Sequence, residues 1–90
     1  MYDLEVCERV DRIFRKIAKK ERLHHEAIEK KVEQILENPH RFDELHAPMQ
    51  GRHHVHVMSS FVLIYSIDEK RKTVVILDYG HHDKVFRANR

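Results

Sequence analysis

The feature that most constrains this chain is a change in its hydrophobic period, from helical spacing to strand-like runs. After an alternating segment at residues 2–6, apolar residues recur from Glu8 at helical intervals, which gives a helix one apolar face. A second stretch with the same property runs from about Arg22 to Glu37. The pair Asn38-Pro39 ends it, because the residue before a proline avoids the helical region. The first half therefore predicts a short strand and then a helical hairpin.

Three strand-like runs follow closely in the second half. They span Arg52 to Met58, Phe61 to Ile67 and Thr73 to Leu77, separated by polar turns at 59–60 and 68–71. Links this short join antiparallel neighbours. The whole order predicts an α+β fold (β-α-α-β-β-β), in which a small twisted antiparallel sheet packs an N-terminal helical hairpin on one face. The other face stays partly open, so polar strand residues are expected to line a groove there.

The segments outside these elements carry weaker patterns. His40 to Gly51 is predicted to be a loop that Phe42 and Leu45 attach to the core, and the tail from His81 to Arg90 is polar apart from two residues. The whole chain, 1–90, is expected to form a single domain, because 90 residues suffice for one thin core but not for a deep cavity.

Composition limits the function classes. A net charge of +2 does not by itself indicate a nucleic-acid partner, although basic residues crowd the first helix and the C-terminus, and such local fields attract polyanions. With a single cysteine, Cys7, no intramolecular disulfide can form, which fits a reducing cytoplasm. The N-terminus lacks a signal-peptide pattern, and no apolar run approaches the roughly 20 residues that span a bilayer. We therefore expect a cytoplasmic protein with no membrane partner and, for want of the familiar motifs, no cofactor.

Histidines dominate the chemistry that the sequence offers. Most of the nine lie on or beside predicted strands of the second half, at His53, His54, His56, His81 and His82. Because side chains alternate along a strand, His54, His56 and Met58 should share one face, with Val55 and Val57 on the other. Histidine titrates near neutrality, so imidazoles on an open face are candidates for proton transfer or for metal binding.

Two interpretations of the histidines stay open on the residues alone. In the first, RNA is cleaved without metal. His56 and His82 share the general base and general acid roles on a ribose 2′-hydroxyl and the leaving oxygen, and Arg52 binds the phosphate. In the second, imidazoles and a carboxylate bind zinc. The candidate ligands are His54, His56, His81, His82 and Asp83.

Several other polar residues are expected to be structural or solvated. His24 and His25 are predicted to lie on a solvated helix face, and Asp78 to cap or turn the chain. Phe86 is expected either to join the core or to offer a platform for a stacked base. A loop or edge-surface position is predicted for three more histidines: His40, His46 and His53.

The segment from Phe42 to Phe86 carries a recognisable order of motifs. It contains Phe42-x-x-Leu45, Pro48-Met49-x-Gly51-Arg52, His54-x-His56, the apolar strand from Phe61 to Ile67, and Val75-Ile76-Leu77-Asp78-Tyr79-Gly80-His81-His82-Asp83-x-Val85-Phe86. With two helices ahead of it, this order resembles the RelE/ParE superfamily of toxins from type II toxin–antitoxin pairs. It is most similar to the RelE and YafQ branch of mRNA interferases. The resemblance implies that family's fold, a small twisted antiparallel sheet with a helical hairpin.

The resemblance also implies an activity, namely cleavage of mRNA in the ribosomal decoding site. The expected partners are the ribosome and mRNA, a cognate antitoxin, and operator DNA only through the antitoxin complex. The expected catalytic residues are His56, His82 and Arg52. YafQ-like members carry a carboxylate before the strand aromatic where this chain has Ser60, so either Asp83 substitutes for it or His56 alone is the base. The expected substrate-binding residues are His54, His81, Lys84, Phe86 and Arg87.

Two alternative functions remain open at this point. One is a ParE-like or inactive toxin that acts only by protein binding, to gyrase or to its antitoxin. The other is a histidine-based metal-binding protein. The ParE branch lacks this histidine set, which favours the ribonuclease over the gyrase-binding function.

Overall fold

The computed structural model describes residues 1–44 and 51–88, with side chains up to Arg87. Its elements in chain order are β1 (Asp3–Val6), α1 (Glu8–Lys20), α2 (Arg22–Glu37), a 3-10 turn (Pro39–Arg41), β2 (Arg52–Val57), β3 (Phe61–Asp68), β4 (Thr73–His81) and α3 (His82–Ala88). The predicted hairpin and the three closely spaced strands are confirmed. Phe42 packs against the core as predicted, whereas Leu45 and His46 lie outside the described residues.

The sheet is built around β4 and β3, in the order β1-β4-β3-β2. β2, β3 and β4 form the predicted antiparallel meander. β1 adds a parallel strand beside β4, pairing Asp3 with Thr73 through Val6 with Ile76. A parallel neighbour needs a long crossover connection, and the helical hairpin supplies the first part of it. The sheet is therefore mixed at this one edge.

The helical hairpin packs on one face of the sheet. In each helix two buried apolar residues lie seven positions apart: Val10 and Ile17 in α1, Ile28 and Ile35 in α2. Seven residues make about two helical turns, so the two side chains project from the same side of the helix. Full burial of each such side chain stabilises the fold by about 1.5–3 kcal/mol. The strand residues that face them in this core include Val55, Val57, Leu63, Tyr65, Val74, Ile76 and Tyr79.

The C-terminal segment forms a helix, α3, where the sequence predicted only a polar tail. Its two large apolar residues, Val85 and Phe86, pack with Val62 and Ile64 in a second small cluster on the sheet face opposite the hairpin. Seven residues are too few for a helical period to be recognised, so tertiary contact decides this helix. The face that was expected to be partly open is therefore partly covered by α3.

A bulge in β4 lies beside this second cluster. Ile64 pairs with Asp78 but its neighbour Tyr65 pairs with Ile76, which leaves Leu77 without a direct partner on β3. β1 ends at Val6, so the outer edge of β4 is uncovered by a strand beyond Ile76. Arg9 covers it instead, because its Nη2 donates to the Asp78 carboxylate at 2.8 Å and to the Leu77 carbonyl at 3.4 Å.

Candidate active site

The first group of candidate residues lies on the face of β2 that points away from the hairpin. His54 and His56 have ring centroids 5.9 Å apart, and Phe86 of α3 lies edge-on to His54, also at 5.9 Å. We call these three residues the β2 cluster. Val55 and Val57 are buried on the opposite face. The predicted alternation is therefore confirmed: the imidazoles occupy positions that the main core does not use.

His54 is the most perturbed histidine of the β2 cluster. Its backbone N–H donates to the Asp43 carbonyl at 3.1 Å, which ties β2 to the preceding segment. Among the described residues, the buried Nδ1 of His54 has no hydrogen-bond partner. Burial, and then the proximity of His56, lower the pKa of His54 below its ordinary value of 6.5. The ring is therefore neutral at pH 7.

The second group lies where β4 ends and α3 begins, and comprises His81, His82 and Asp83. We call it the strand-end cluster. The two imidazole rings stack with centroids 4.8 Å apart. Nδ1 of His82 lies 2.9 Å from one Asp83 carboxylate oxygen, and Nδ1 of His81 lies 3.8 Å from the other. The backbone N–H of His82 donates to the Ser60 carbonyl at 2.9 Å, which fixes the start of α3 against the β2–β3 turn.

The two clusters are neighbours across the sheet but have separate ring contacts. His56 pairs with Val62 and Val62 with Gly80, so β3 separates His56 from the end of β4 by roughly 10 Å between backbones. α3 connects the clusters, because His82 and Phe86 are four residues apart and residues at this spacing share one helix face. Phe86 in turn contacts His54. The structure thus pairs His56 with His54 and His82 with Asp83. His81, on which His82 stacks, lies edge-on to Phe61 of the hairpin-side core with ring centroids 6.1 Å apart, so the structure does not bring His56 and His82 together on one face.

The basic candidates lie on β2 and α3. Arg52 is half-buried and pairs with Ser66; two residues before His54, it projects to the same side of β2. Lys84 and Arg87 are exposed on α3. Lys84 lines a small pocket with Arg9 and other residues of β4 and α3.

None of the helices in the described part of the chain is long and apolar enough to cross a bilayer. The ParE toxin family of the type II toxin–antitoxin system parDE matches residues 4–86. The chain belongs to the RelE/ParE superfamily of type II toxins. This confirms the superfamily that the motif order predicted.

Relatives of this toxin are similar over nearly their full length. A Methanocaldococcus jannaschii protein described as a candidate toxin, RelE4, is 37% identical over 90 residues, which is all of this chain and 96% of that one. An uncharacterized Methanosarcina mazei protein is 45% identical over 86 residues, 96% of this chain and 100% of its own. Among solved structures, the E. coli RelBE toxin–antitoxin complex matches at a TM-score of 0.75 and 23% identity, over 90% of this chain and 96% of that one. The last match confirms the predicted fold.

Two histidines of the toxin lie where the sequence did not predict them. His24 is buried rather than solvated, and its Nε2 lies 2.6 Å from the Tyr79 hydroxyl. His53 is also buried: it stacks on Tyr65 at 5.2 Å between centroids, and its Nδ1 lies 3.0 Å from the Phe42 carbonyl. Both predictions were wrong because these positions face the main core. The helical period contained the signal for His24, which lies one turn before the buried Ile28.

Other expectations for polar residues have mixed outcomes. His40 is exposed as predicted and bonds to Glu69. His25 is half-buried, 3.3 Å from Glu29, so it is less solvated than predicted. Asp78 does more than cap the chain, because it is a buried carboxylate that accepts hydrogen bonds from Arg9 and from the Tyr79 backbone N–H at 2.9 Å.

Proposed function

We propose that this toxin is a ribosome-dependent mRNA endoribonuclease that cleaves by metal-independent acid–base chemistry. The observation that carries the proposal is a pair of imidazoles on the side of β2 from which Arg52 also projects, with a second histidine pair where β4 meets α3. An imidazole is suited to both proton transfers at neutral pH. The M. jannaschii relative with a RelE name supports the same branch.

In the proposed mechanism, His56 accepts the proton of a ribose 2′-hydroxyl. The 2′-oxygen attacks the adjacent phosphorus, the bond to the 5′-oxygen breaks, and His82 donates a proton to that leaving oxygen. A 2′,3′-cyclic phosphate and a free 5′-hydroxyl result. Arg52 stabilises the negative charge of the pentavalent phosphate, because a guanidinium fork matches two phosphate oxygens. RNA must pass from β2 across the end of β3 to the start of α3 to meet both imidazoles, since β3 lies between His56 and the end of β4.

The neighbouring residues have supporting roles in this proposal. The Asp83 carboxylate, 2.9 Å from Nδ1 of His82, orients the ring so that Nε2 is the nitrogen left for the substrate. Neutral His54 places no charge beside His56. Phe86 stacks on a base, a contact that contributes about 1–3 kcal/mol per base. His81, Lys84 and Arg87 contact the flanking nucleotides.

We further propose a cognate antitoxin as the protein partner, and action on the ribosome in the cytoplasm, with operator DNA bound only through the antitoxin complex. The matching E. coli structure is a toxin–antitoxin complex. An apolar groove between β1 and the hairpin offers a surface that an antitoxin could cover. Its lining includes Leu4, Phe14, Ile28, Val32 and Leu36.

The decisive test is His82→Ala, expressed from an inducible promoter. We expect growth arrest to be lost and cleavage of a reporter mRNA on translating ribosomes, read by primer extension, to fall at least a hundredfold, since one acid–base group contributes about 10²–10⁴ in rate. His25→Ala on α2 is the matched control and should keep both. Undiminished arrest and cleavage by His82→Ala would remove this histidine from the mechanism.

A second candidate function is supported by the family match, which carries the ParE name. A ParE-like toxin would act by protein binding and would cleave no RNA. The same assays separate the two functions: toxicity without mRNA cleavage, together with inhibition of gyrase supercoiling by the purified toxin, would favour the ParE-like activity.

A further inference from the structure

The strand-end cluster has the composition and spacing of a metal site. Among the described residues, it is the group of three histidines or carboxylates whose ligand atoms all lie within 4.8 Å of one another. Its shortest separations are 2.9 Å, from Nδ1 of His82 to Asp83, and 3.8 Å, from Nδ1 of His81 to Asp83. Zinc ligands about 2.0–2.2 Å from the ion lie roughly 3.3–3.6 Å apart at tetrahedral corners. Small side-chain rotations therefore suffice to bring the three ligand atoms to one ion.

The backbone that carries these ligands is already ordered. His81 pairs with Phe61 at the end of the β3–β4 ladder, and the His82 N–H donates to the Ser60 carbonyl. All three side chains remain open to solvent, with 42–64% of each exposed. An ion can thus enter without unfolding any element, and a water molecule can complete the coordination.

The structure separates the five candidate zinc ligands predicted from the sequence into two groups, one on β2 and one at the end of β4. His54 and His56 lie on β2 with ring centroids 5.9 Å apart, and Nδ1 of His54 is buried. Asp43 lines the same pocket, but among the described residues it forms no group of three ligand atoms with these two histidines. The strand-end cluster combines two imidazoles with a carboxylate, a donor set that zinc and related divalent ions accept.

We propose that His81, His82 and Asp83 bind a divalent transition ion of the zinc class, and that the bound ion inhibits the toxin. An ion at this position draws Nδ1 of His82 and the Asp83 carboxylate to itself, which fixes the imidazole ring at the strand-end cluster. The fixed ring cannot turn toward the leaving oxygen of bound RNA, so His82 is no longer available for the role that the proposed mechanism gives it. The inhibitory part of this inference rests on the proposed nuclease function, whereas the binding part does not.

The binding part is tested by calorimetric titration of zinc chloride into the full-length chain with its affinity tag removed. Wild type should bind one ion, and His81→Ala, His82→Ala and Asp83→Asn should each bind at least tenfold more weakly. His56→Ala, which removes an imidazole of the β2 cluster, is the matched control and should stay within twofold of wild type. Unchanged affinity in the three variants, or an equal loss in His56→Ala, would overturn the site. Circular dichroism verifies that each variant is folded.

The inhibitory part is tested by mRNA cleavage over the same range of zinc concentrations. Wild-type cleavage should fall as the site fills and return on addition of a chelator. His81→Ala, compared with its own zinc-free rate, should need at least tenfold more zinc for half-inhibition. Zinc binding that leaves wild-type cleavage unchanged would refute inhibition. If the wild-type toxin cleaved no mRNA even without zinc, the proposed nuclease function would be refuted. The calorimetric titration would still show whether the proposed metal site exists.

Discussion

The buried hydrogen bond between His24 and Tyr79 allows a quantitative test of how α2 is held on the sheet. Nε2 of His24 lies 2.6 Å from the Tyr79 hydroxyl, and the two residues are 5% and 2% exposed. Phe61 seals the contact, with its ring 4.4 Å from His24 and stacked on Tyr79 at 5.8 Å. Water cannot readily replace a lost partner at such a position. Tyr79→Phe would therefore leave a ring nitrogen of His24 buried and unsatisfied.

A buried polar atom that loses its partner costs about 1–3 kcal/mol. A loss of about 2 kcal/mol would lower the melting temperature by roughly 8–16 °C in a domain of this size. Urea denaturation should show the loss as a lower midpoint with an unchanged slope. In the double variant His24→Leu/Tyr79→Phe, the combined loss should be smaller than the sum of the single losses, because both partners become apolar.

The matched control is Tyr2→Phe. The Tyr2 hydroxyl bonds to the exposed Glu69 carboxylate at 3.1 Å, where water can replace it, so the midpoint should stay at the wild-type value. If Tyr79→Phe and Tyr2→Phe unfolded at the same urea concentration, burial would not be the cause of the stability assigned to the His24 contact.

Two further predictions concern charged groups. Arg9→Ala should cost about 1–3 kcal/mol in urea denaturation, because it removes an ionic partner from the buried Asp78. The exposed pair of Arg15 is the control, and Arg15→Ala should unfold at the wild-type midpoint; equal effects would contradict the role of burial. Burial lowers the pKa of His54, so the folded state binds a proton at this ring less readily than the unfolded state does. The stability that depends on the neutral ring is therefore fully present above about pH 6.5, the ordinary pKa, and is lost as the pH falls below it. Urea midpoints at pH 7.5 and 5 should thus differ less in His54→Leu than in wild type, and an identical difference would refute the assignment.

Much of the fold could be predicted because its signals are local. The helical period and the Asn38-Pro39 pair place both ends of α2, at Arg22 and Glu37. Alternation along β2 places His54 and His56 on the side away from Val55 and Val57, whatever the strand later contacts. These features depend on residues within one or two turns of each other, so the chain determines them without reference to the rest of the molecule.

Other features depend on contacts between distant parts of the chain. α3 forms because Val85 and Phe86 meet Val62 and Ile64 across the sheet. His24 is buried because it meets Tyr79, 55 positions later. In both cases local patterns do not specify the distant partner, although the helical period does place His24 on the buried side of α2.

The candidate site shows the same division. By itself, the sequence determined that imidazoles project from β2 and that a His-His-Asp run follows β4. Only the tertiary structure decided that His56 lies beside His54, that His82 lies beside Asp83, and that β3 separates the two pairs. The physical reason is that strand order, the bulge at Leu77 and the packing of α3 set distances between elements, and these depend on the assembled core.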